Sequence, residues 1–333
     1  MNLFPTQYSV LKADAVGSYI AHMYGFTVTE CKLLIHNVSD TYIVETPETK
    51  YIFKIYRDSH RPEAEIRSEA ELLTAFKDNG ASVVYTLPNI YGDMLTAFKA
   101  AEGQRFGMLF TFAQGAPVYD LCDTQLKLLG TEMAKLHIIS SKAKLKHARR
   151  EYNIDTMLRI PLQVIAPDFE QLPEEYAYLK ETTAYVITEL EKLPLQDFPT
   201  GYCQYDFLPK NFHFSGEDKI TFFDFDFAGK GHLINDITTF YIHYFFDVMT
   251  GKRTREEADR CFKVFLEAYR SVRPVSDTEI SSMKLFGLGF FMFYFGFHHE
   301  NFDDWSNFFY TERFIKERVS VIKKWMAYAP LPL

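Results

Sequence analysis

A chain of 333 residues, 47 % of them apolar and 17 % aromatic, can bury a large core, which excludes a disordered or low-complexity protein. Its net charge of −8 excludes a non-specific nucleic-acid binder, which needs a basic footprint, and suits a cationic ligand. Four cysteines, Cys31, Cys122, Cys203 and Cys261, stand far apart with no C-x-x-C pair, which argues against a zinc site or disulfide framework and for reduced thiols.

Met1 to Val10 carry no basic stretch followed by an apolar core, so no signal peptide is expected. Residues 1–30 read as a helical lead-in. Two β-rich stretches follow at 31–45 and 51–56, separated by the turn-forming Thr46-Pro47-Glu48-Thr49. Helical periodicity covers 62–77, with Pro62 suited to a first turn and Asn79-Gly80 to a C-cap. Further strands are expected at 82–87, 94–99 and 105–112. The segment Gln114-Gly115-Ala116-Pro117 is a natural joint, beyond which Leu126, Leu129, Met133 and Leu136 recur at helical spacing. More helices are expected at 176–193, 234–249, 255–270, 277–297 and 311–327, with one β-like island at 211–227. The longest apolar run, 285–297, is too short to cross a bilayer and reads as a buried helix. The pattern predicts an α+β, bilobal arrangement. A strand-rich lobe over 1–113 (with its lead-in) precedes a larger helical lobe over 114–333 carrying an embedded hairpin, and ligands are expected at the lobe boundary. A cytoplasmic protein with no membrane partner is the natural expectation.

The informative stretch runs from Gly201 to Thr239. Phe212-His213-Phe214 and Ile220–Phe223 read as two short strands joined by the turn Ser215-Gly216-Glu217-Asp218. Such a hairpin brings Asp206 and Asn211 at one end next to Asp224 and Asp226 at the other. Carboxylates gathered in one place repel unless a cation or proton lies between them. An Asp/Asn oxygen set with room for water and phosphate suits Mg²⁺, the equipment phosphoryl transfer requires. If the strand continues past Asp224, Asp226 shares its face.

The run Gln204-Tyr205-Asp206-Phe207-Leu208-Pro209-Lys210-Asn211 followed by Asp224-Phe225-Asp226 resembles the H-x-D-x-x-x-x-N and D-x-D motifs of aminoglycoside phosphotransferases, choline kinases and homoserine kinase-like proteins. The resemblance covers roughly residues 30–330 and is sharp over 201–239. It implies a protein-kinase-like fold and transfer of the γ-phosphoryl group of ATP (or GTP) to a hydroxyl of a small molecule, with Mg²⁺. Asp206 would be the catalytic base, and Asn211 and Asp224 the metal ligands, with Asp226 beside them. Asp236 would brace the catalytic loop.

In the first lobe, Lys54 interrupts an apolar strand, and in kinase-like folds such a lysine holds the α- and β-phosphates. Glu69 shares a helix face with Leu72, Leu73 and Phe76, so an inward acid there wants a partner, for which Lys54 is expected and Glu65 is the rival to Glu69. The stretch 108–115, with Phe112, resembles the family's adenine-holding hinge. Two departures stand out. Gln204 replaces the usual His, although an amide can still donate and accept hydrogen bonds. No G-x-G-x-x-G loop is present, and the first hairpin turns instead at Ile35–Thr41, where Asn37 and Ser39 offer donors to phosphate but Asp40 would repel it unless turned away.

Other residues carry weaker signals. His298-His299 point in different directions on a helix and so would not chelate together. By resemblance, Glu300, Asp303 and Asp304 are candidates for an acceptor pocket that meets a cationic substrate. His137 is expected in the core, and the basic run 142–150 on a solvated face. A Ser/Thr protein kinase shares the hairpin, but residues 227–235 are too few for a peptide-docking segment. A nucleotide-sensing module without catalysis would fit Gln204 but has no use for Asp206, Asn211 and Asp224 together.

Overall fold

The structure, a computed structural model, describes the whole chain except residues 1–4, 7, 58–60, 302–309 and 329–333. It divides into two compact units, one of residues 1–114, 144–149 and 221–223, the other of residues 115–143, 150–220 and 224–333.

The first unit is built on an antiparallel sheet. Its strands are β1 (Glu30–His36), β2 (Ser39–Glu45), β3 (Lys50–Tyr56), β4 (Thr86–Leu87), β5 (Thr96–Lys99) and β6 (Gln104–Thr111), in the order β1-β2-β3-β6-β4 with β5 also on β6. Period-two alternation sets its inner face: Tyr42 and Val44 of β2, Phe53 and Ile55 of β3 and Leu109 of β6 pack against Val16, Ile20 and Tyr24 of helix α1 (Ala13–Tyr24). Helix α2 (Glu63–Asp78) follows Pro62, buries Ile66, Glu69, Leu72, Leu73 and Phe76 along one stripe, and ends at Asn79 with Gly80 at φ +78°. The basic run does not lie on a solvated face throughout. The backbone N–H groups of Lys146 and His147 donate to Glu71 Oε2 at 2.7 and 3.2 Å, and Arg149 Nη1 donates to the Glu65 carbonyl at 2.6 Å. Charge density alone could not show that helix α2 offers acceptors for these groups.

The second unit is mainly helical. It contains α3 (Asp123–Ser140), α4 (Ile160–Val164), α5 (Pro173–Glu191), α6 (Ile234–Met249), α7 (Arg255–Val272), α8 (Asp277–Asn301) and α9 (Glu312–Ala327). Helices α3 and α7 approach so closely at Gly130 that any side chain there would strike the Phe265 carbonyl. A reciprocal cap between Thr254 and Glu257 starts α7. Helix α8 has 25 residues and is apolar enough to cross a membrane by length and composition, but 72 % of its apolar window is buried within the protein, as befits a core helix. The ribbon of β7 (Thr200–Cys203) with β10 (Gly229–His232) completes the unit, together with strand β8 (Phe212–Phe214) of a hairpin whose other strand, β9 (Ile220–Phe222), passes at Thr221 into the residues of the first unit. The β-like island is therefore shorter than the sequence suggests. Strand β9 stops at Phe222, and Asp224 has φ +60°, so the alternation that would align Asp226 with Asp224 does not extend to them.

Candidate active site

The segment after β7 is irregular backbone held at a few points by buried partners. Tyr205 takes φ +64°, a conformation that costs a non-glycine residue of order 1–3 kcal/mol and persists only where surroundings impose it. Two features impose it here. The Asp236 carboxylate, at the start of α6, accepts the backbone N–H of Gln204 on Oδ2 and that of Tyr205 on Oδ1, both at 2.8 Å. The Tyr205 ring stacks on Tyr152 with centroids 3.5 Å apart. Two residues later, Phe207 N–H donates to Thr239 Oγ1 on the same helix, at 3.3 Å.

Asp236 is itself fixed by a buried chain. His137 Nε2 lies 3.1 Å from Asp236 Oδ2, its Nδ1 lies 2.7 Å from the Tyr269 hydroxyl, and Arg273 Nη1 donates to that hydroxyl oxygen at 3.0 Å. Burial pushes the His137 pKa down from its ordinary value, against the pull of Asp236, so the ring is neutral at pH 7. A neutral ring has one donor and one acceptor. With Tyr269 donating to Nδ1, Nε2 carries the proton and donates to Asp236.

Asp206 sits at the centre of this loop, 5 % exposed. Its Oδ2 accepts Asn211 Nδ2 at 2.8 Å and pairs with Lys210 Nζ at 2.8 Å, and Asn211 Nδ2 also reaches the Asp206 carbonyl at 2.8 Å. Burial raises the Asp206 pKa and Asp224 adds to the rise, while Lys210 and Asn211 oppose it. Asn211, turned with its amide nitrogen toward Asp206, keeps its carbonyl oxygen for another partner. Gln204 Nε2 donates to the Asp224 carbonyl at 3.4 Å, so the amide at the position of the usual His still links the two loops. Beyond Asp226 the chain is taken up at once by β10, where Gly229 and Gly231 pair with Cys203 and Gly201 and lie against Tyr152, leaving no length for a peptide platform.

The oxygen donors Asn211 and Asp224 fit a hard divalent cation that completes its shell with water and phosphate. Among the described residues no three His, Cys, Asp or Glu side chains cluster as a self-sufficient metal cage. Asp206 and Asp224 sense each other's charge, and Asp226 is buried in the turn that follows.

In the first unit, Lys54 lies on β3 between Thr41 of β2 and Met108 of β6. Glu69 is 1 % exposed and receives Arg61 Nη1 at 2.6 Å, with the Tyr56 hydroxyl at 3.4 Å. Glu65 stands close to the same guanidinium, at 3.8 Å from Arg61 Nε. Ser39 opens β2 and its carbonyl accepts Asn37 N–H at 3.1 Å. Asp40 is turned away from the hairpin tip: it is fully buried, paired with Arg105 Nη2 at 3.0 Å and with His36 Nδ1 at 2.6 Å. Phe112, half-buried, directly follows β6.

The profile of the phosphotransferase enzyme family matches residues 30–275, well over half of the chain. The chain belongs to the phosphotransferase enzyme family. It is 30 % identical over 283 residues to an uncharacterised protein of Synechocystis sp., covering 84 % of this chain and 76 % of that one. It is 25 % identical over 235 residues to amicoumacin kinase of Bacillus subtilis, covering 69 % of this chain and 67 % of that one. Among solved structures it resembles amicoumacin kinase hAmiN in complex with AMP-PNP, Ca²⁺ and Ami, with TM-score 0.76, 20 % identity and 96 % and 95 % of the two chains covered. It also resembles the microcompartment-associated aminopropanol kinase, with TM-score 0.73, 19 % identity and coverage of 95 % and 96 %. This likeness establishes the fold as that of the kinases whose motifs the sequence resembles.

In this phosphotransferase the motif residues Asp206, Asn211 and Asp224 lie in the second unit, and Ser39, Lys54, Glu69 and Phe112 in the first. Glu300 is exposed at the end of α8, and Asp303 and Asp304 fall outside the described residues. His299 is bound to Asp168 at 2.7 Å, and burial with Arg318 lowers the His298 pKa to about 4, so the two rings face different partners. Sequence reading passed over Lys210, although its place four residues after Asp206 and beside Asn211 is a usable signal. It could not find Tyr269, Arg273 or Arg61 as members of these networks.

Proposed function

We propose that this phosphotransferase is an ATP-dependent kinase that moves the γ-phosphoryl group to a hydroxyl of a small molecule, an amino alcohol or an aminated antibiotic. The observation that carries the reading is the state of Asp206. Asn211 and Lys210 tie down one of its oxygens, which leaves the other to accept the proton of an incoming hydroxyl. Asp224 and Asn211 would hold Mg²⁺, which neutralises charge on the phosphate oxygens when bound. The protein's own part is positioning, since phosphoryl transfer asks little covalent chemistry of the enzyme. Asp206 orients the acceptor oxygen and takes its proton, Lys210 opposes the rise in that carboxylate's pKa that burial causes, and Asp236 holds the loop. Lys54, Ser39 and Phe112 are assigned to the nucleotide, Glu69 to supporting that set through Arg61, and Glu300, Asp303 and Asp304 to the rim of the acceptor pocket. Residues 1–113 accordingly form the nucleotide-binding part and 114–333 the catalytic part. The cytoplasm, where ATP is at hand, is the assigned location. Amicoumacin kinase and aminopropanol kinase, whose names give their acceptors, support this choice of acceptors.

The test is ADP release from Mg·ATP in the presence of amino alcohols, choline, amicoumacin and aminoglycosides. Acceptor-dependent turnover is expected, and Asp206→Ala should lower kcat by about 10³-fold or more while sparing nucleotide binding. Asp224→Ala should also lose divalent-dependent nucleotide binding. Absence of turnover with every acceptor, together with no divalent-dependent nucleotide binding, would sink the reading.

A further inference from the structure

The β1–β2 hairpin, which stands where a glycine-rich loop was absent, is gripped on one face by the lead-in of the chain. Register and alternation divide the hairpin into two faces. Ser39 and Thr41 share a face with Lys54, whereas Asp40 points the other way with Ile55 and Tyr42, toward the α1 side. Residues 8–11 cross the hairpin on that second face. The buried guanidinium of Arg105 joins them to it. Its Nη1 donates to the Ser9 carbonyl at 2.7 Å, and its Nη2 to the Tyr8 hydroxyl at 3.2 Å and to Asp40 Oδ2 at 3.0 Å. Its Nε donates to the Tyr56 carbonyl at the end of β3, at 3.1 Å. The Tyr8 ring stacks on His36, the last residue of β1, with centroids 5.1 Å apart, and the guanidinium groups of Arg57 and Arg105 lie over it at 4.4 and 4.7 Å. His36 Nδ1 lies 2.6 Å from Asp40 Oδ1. Burial and a hydrogen bond to Asp40 push the Tyr8 pKa up to about 12, so the phenol keeps its proton. Farther from the tip, the Tyr42 hydroxyl donates to the Leu11 carbonyl at 2.6 Å.

Neither Tyr8 nor Ser9 belongs to the apolar cluster that joins α1 to the sheet, so these contacts do not close that core. They gather at the end of the hairpin that carries its tip. The favoured short hairpin turns contain a residue with positive φ, and none of Asn37, Val38 and Ser39 has one, so the tip depends on tethers from outside the turn. We propose that Tyr8 is a positioning residue for the nucleotide: by bracing His36, and Asp40 through Arg105, it holds the hairpin tip so that the face carrying Ser39 and Lys54 can meet the phosphates. The inference rests on the nucleotide role assigned above to that face. A loop that is already fixed loses less conformational freedom when its ligand binds, so the brace acts on nucleotide affinity.

The experiment titrates Mg·AMP-PNP into the full-length protein and three variants by calorimetry, well below their melting temperatures. Tyr8→Ala removes both the ring on His36 and the hydroxyl, and its Kd should rise about tenfold. Tyr8→Phe keeps the ring and loses the hydroxyl, and its Kd should rise by an intermediate factor of about three. Tyr42→Phe cuts the tether on the Leu11 carbonyl, away from the tip, and should lower the melting temperature while leaving Kd within about twofold of the parent. A Kd for Tyr8→Ala within about twofold of the parent overturns the assignment, whatever the melting temperature does. So does an equal rise in Tyr42→Phe, which would mean that any loosening of the lead-in weakens binding and that Tyr8 has no particular hold on the tip. If the parent itself bound no Mg·AMP-PNP, the nucleotide reading would fall and this inference with it. A parent that binds beside a Tyr8→Ala variant that binds equally well sinks this inference alone.

Discussion

Asp40 and Glu69 of the first unit and Asp236 of the second are buried acids held by opposite means. In the first, carboxylates meet guanidinium groups directly: Asp40 pairs with Arg105, and Glu69 with Arg61, all on or beside regular strands and helices. In the second, Asp236 is matched to two backbone N–H groups and a neutral imidazole, and its work is to hold irregular backbone in a conformation it would otherwise avoid. A buried ion pair neutralises charge and tolerates small shifts of either partner. A carboxylate reading two consecutive N–H groups fixes both position and direction of the chain. The second arrangement suits the role proposed for the next residue, Asp206, which is to present a carboxylate oxygen to a reacting group within a fraction of an ångström.

The largest effect should come from breaking one of the ion pairs. Arg61 and Glu69 have side chains 0 and 1 % exposed, so removing Arg61 takes a directly paired guanidinium from a buried carboxylate. Arg61→Met should lower unfolding stability by about 3–5 kcal/mol, read from denaturant midpoints. Adding Glu69→Met should restore most of it, since an apolar pair of similar volume is about as stable as a buried ion pair. If the double variant were no better than the single one, the role of Arg61 would lie beyond charge matching, and the contrast between the units would weaken.

A smaller free-energy effect, but a more selective one, is expected at Asp236. In Asp236→Asn one acceptor oxygen becomes an N–H₂ group facing a backbone donor, so the grip on Gln204 and Tyr205 is lost while shape is kept. We expect kcat to fall about 100-fold, through displacement of Asp206, with KM for ATP little changed. Equal damage to kcat and to nucleotide affinity would show that Asp236 supports the fold at large and not the loop in particular.

The same contrast governs what could be read from the chain beforehand. Asp206, Asn211 and Asp224 were legible because their spacing is local, and Lys54 because a lysine in an apolar strand breaks a period-two pattern. Asp236 was legible by resemblance. Its supports were not: His137 lies 99 residues from Asp236, and Tyr269 lies 132 residues from His137, distances that no periodicity spans. The left-handed backbone at Tyr205 and Asp224 was invisible because neither is glycine, so tertiary contacts alone impose it. The shared face expected for Asp224 and Asp226 was conditional on the strand continuing, and β9 ends at Phe222, so strand alternation has no meaning past that point. Strands β7 and β10 were missed because they are four residues each and contain three of the chain's glycines, Gly201, Gly229 and Gly231. Arg61 was missed as the partner of Glu69 because it precedes helix α2, where helical spacing says nothing about which way a side chain turns.

The smallest of these effects concerns Lys210, which is an ion pair of the first unit's kind placed inside the second unit's loop. Its side chain is 55 % exposed, so its value lies less in stability than in the ionisation of Asp206. Burial and Asp224 raise the Asp206 pKa, and Lys210 lowers it. A general base works only when ionised, so the acid limb of the kcat profile follows that pKa. Lys210→Met removes a lowering influence, and the Asp206 pKa must rise. Activity is then lost first on the acid side, and the limb moves to higher pH. Well above the limb the carboxylate is again ionised, and what remains is the loss of one of two tethers on Oδ2, which should cost kcat about tenfold. Lys210→Arg keeps the positive charge and should leave the limb near its original position. A pH series of kcat for the three proteins decides the matter. A limb that stays fixed or moves to lower pH in Lys210→Met would mean that Asp206 is not the group whose ionisation controls the reaction.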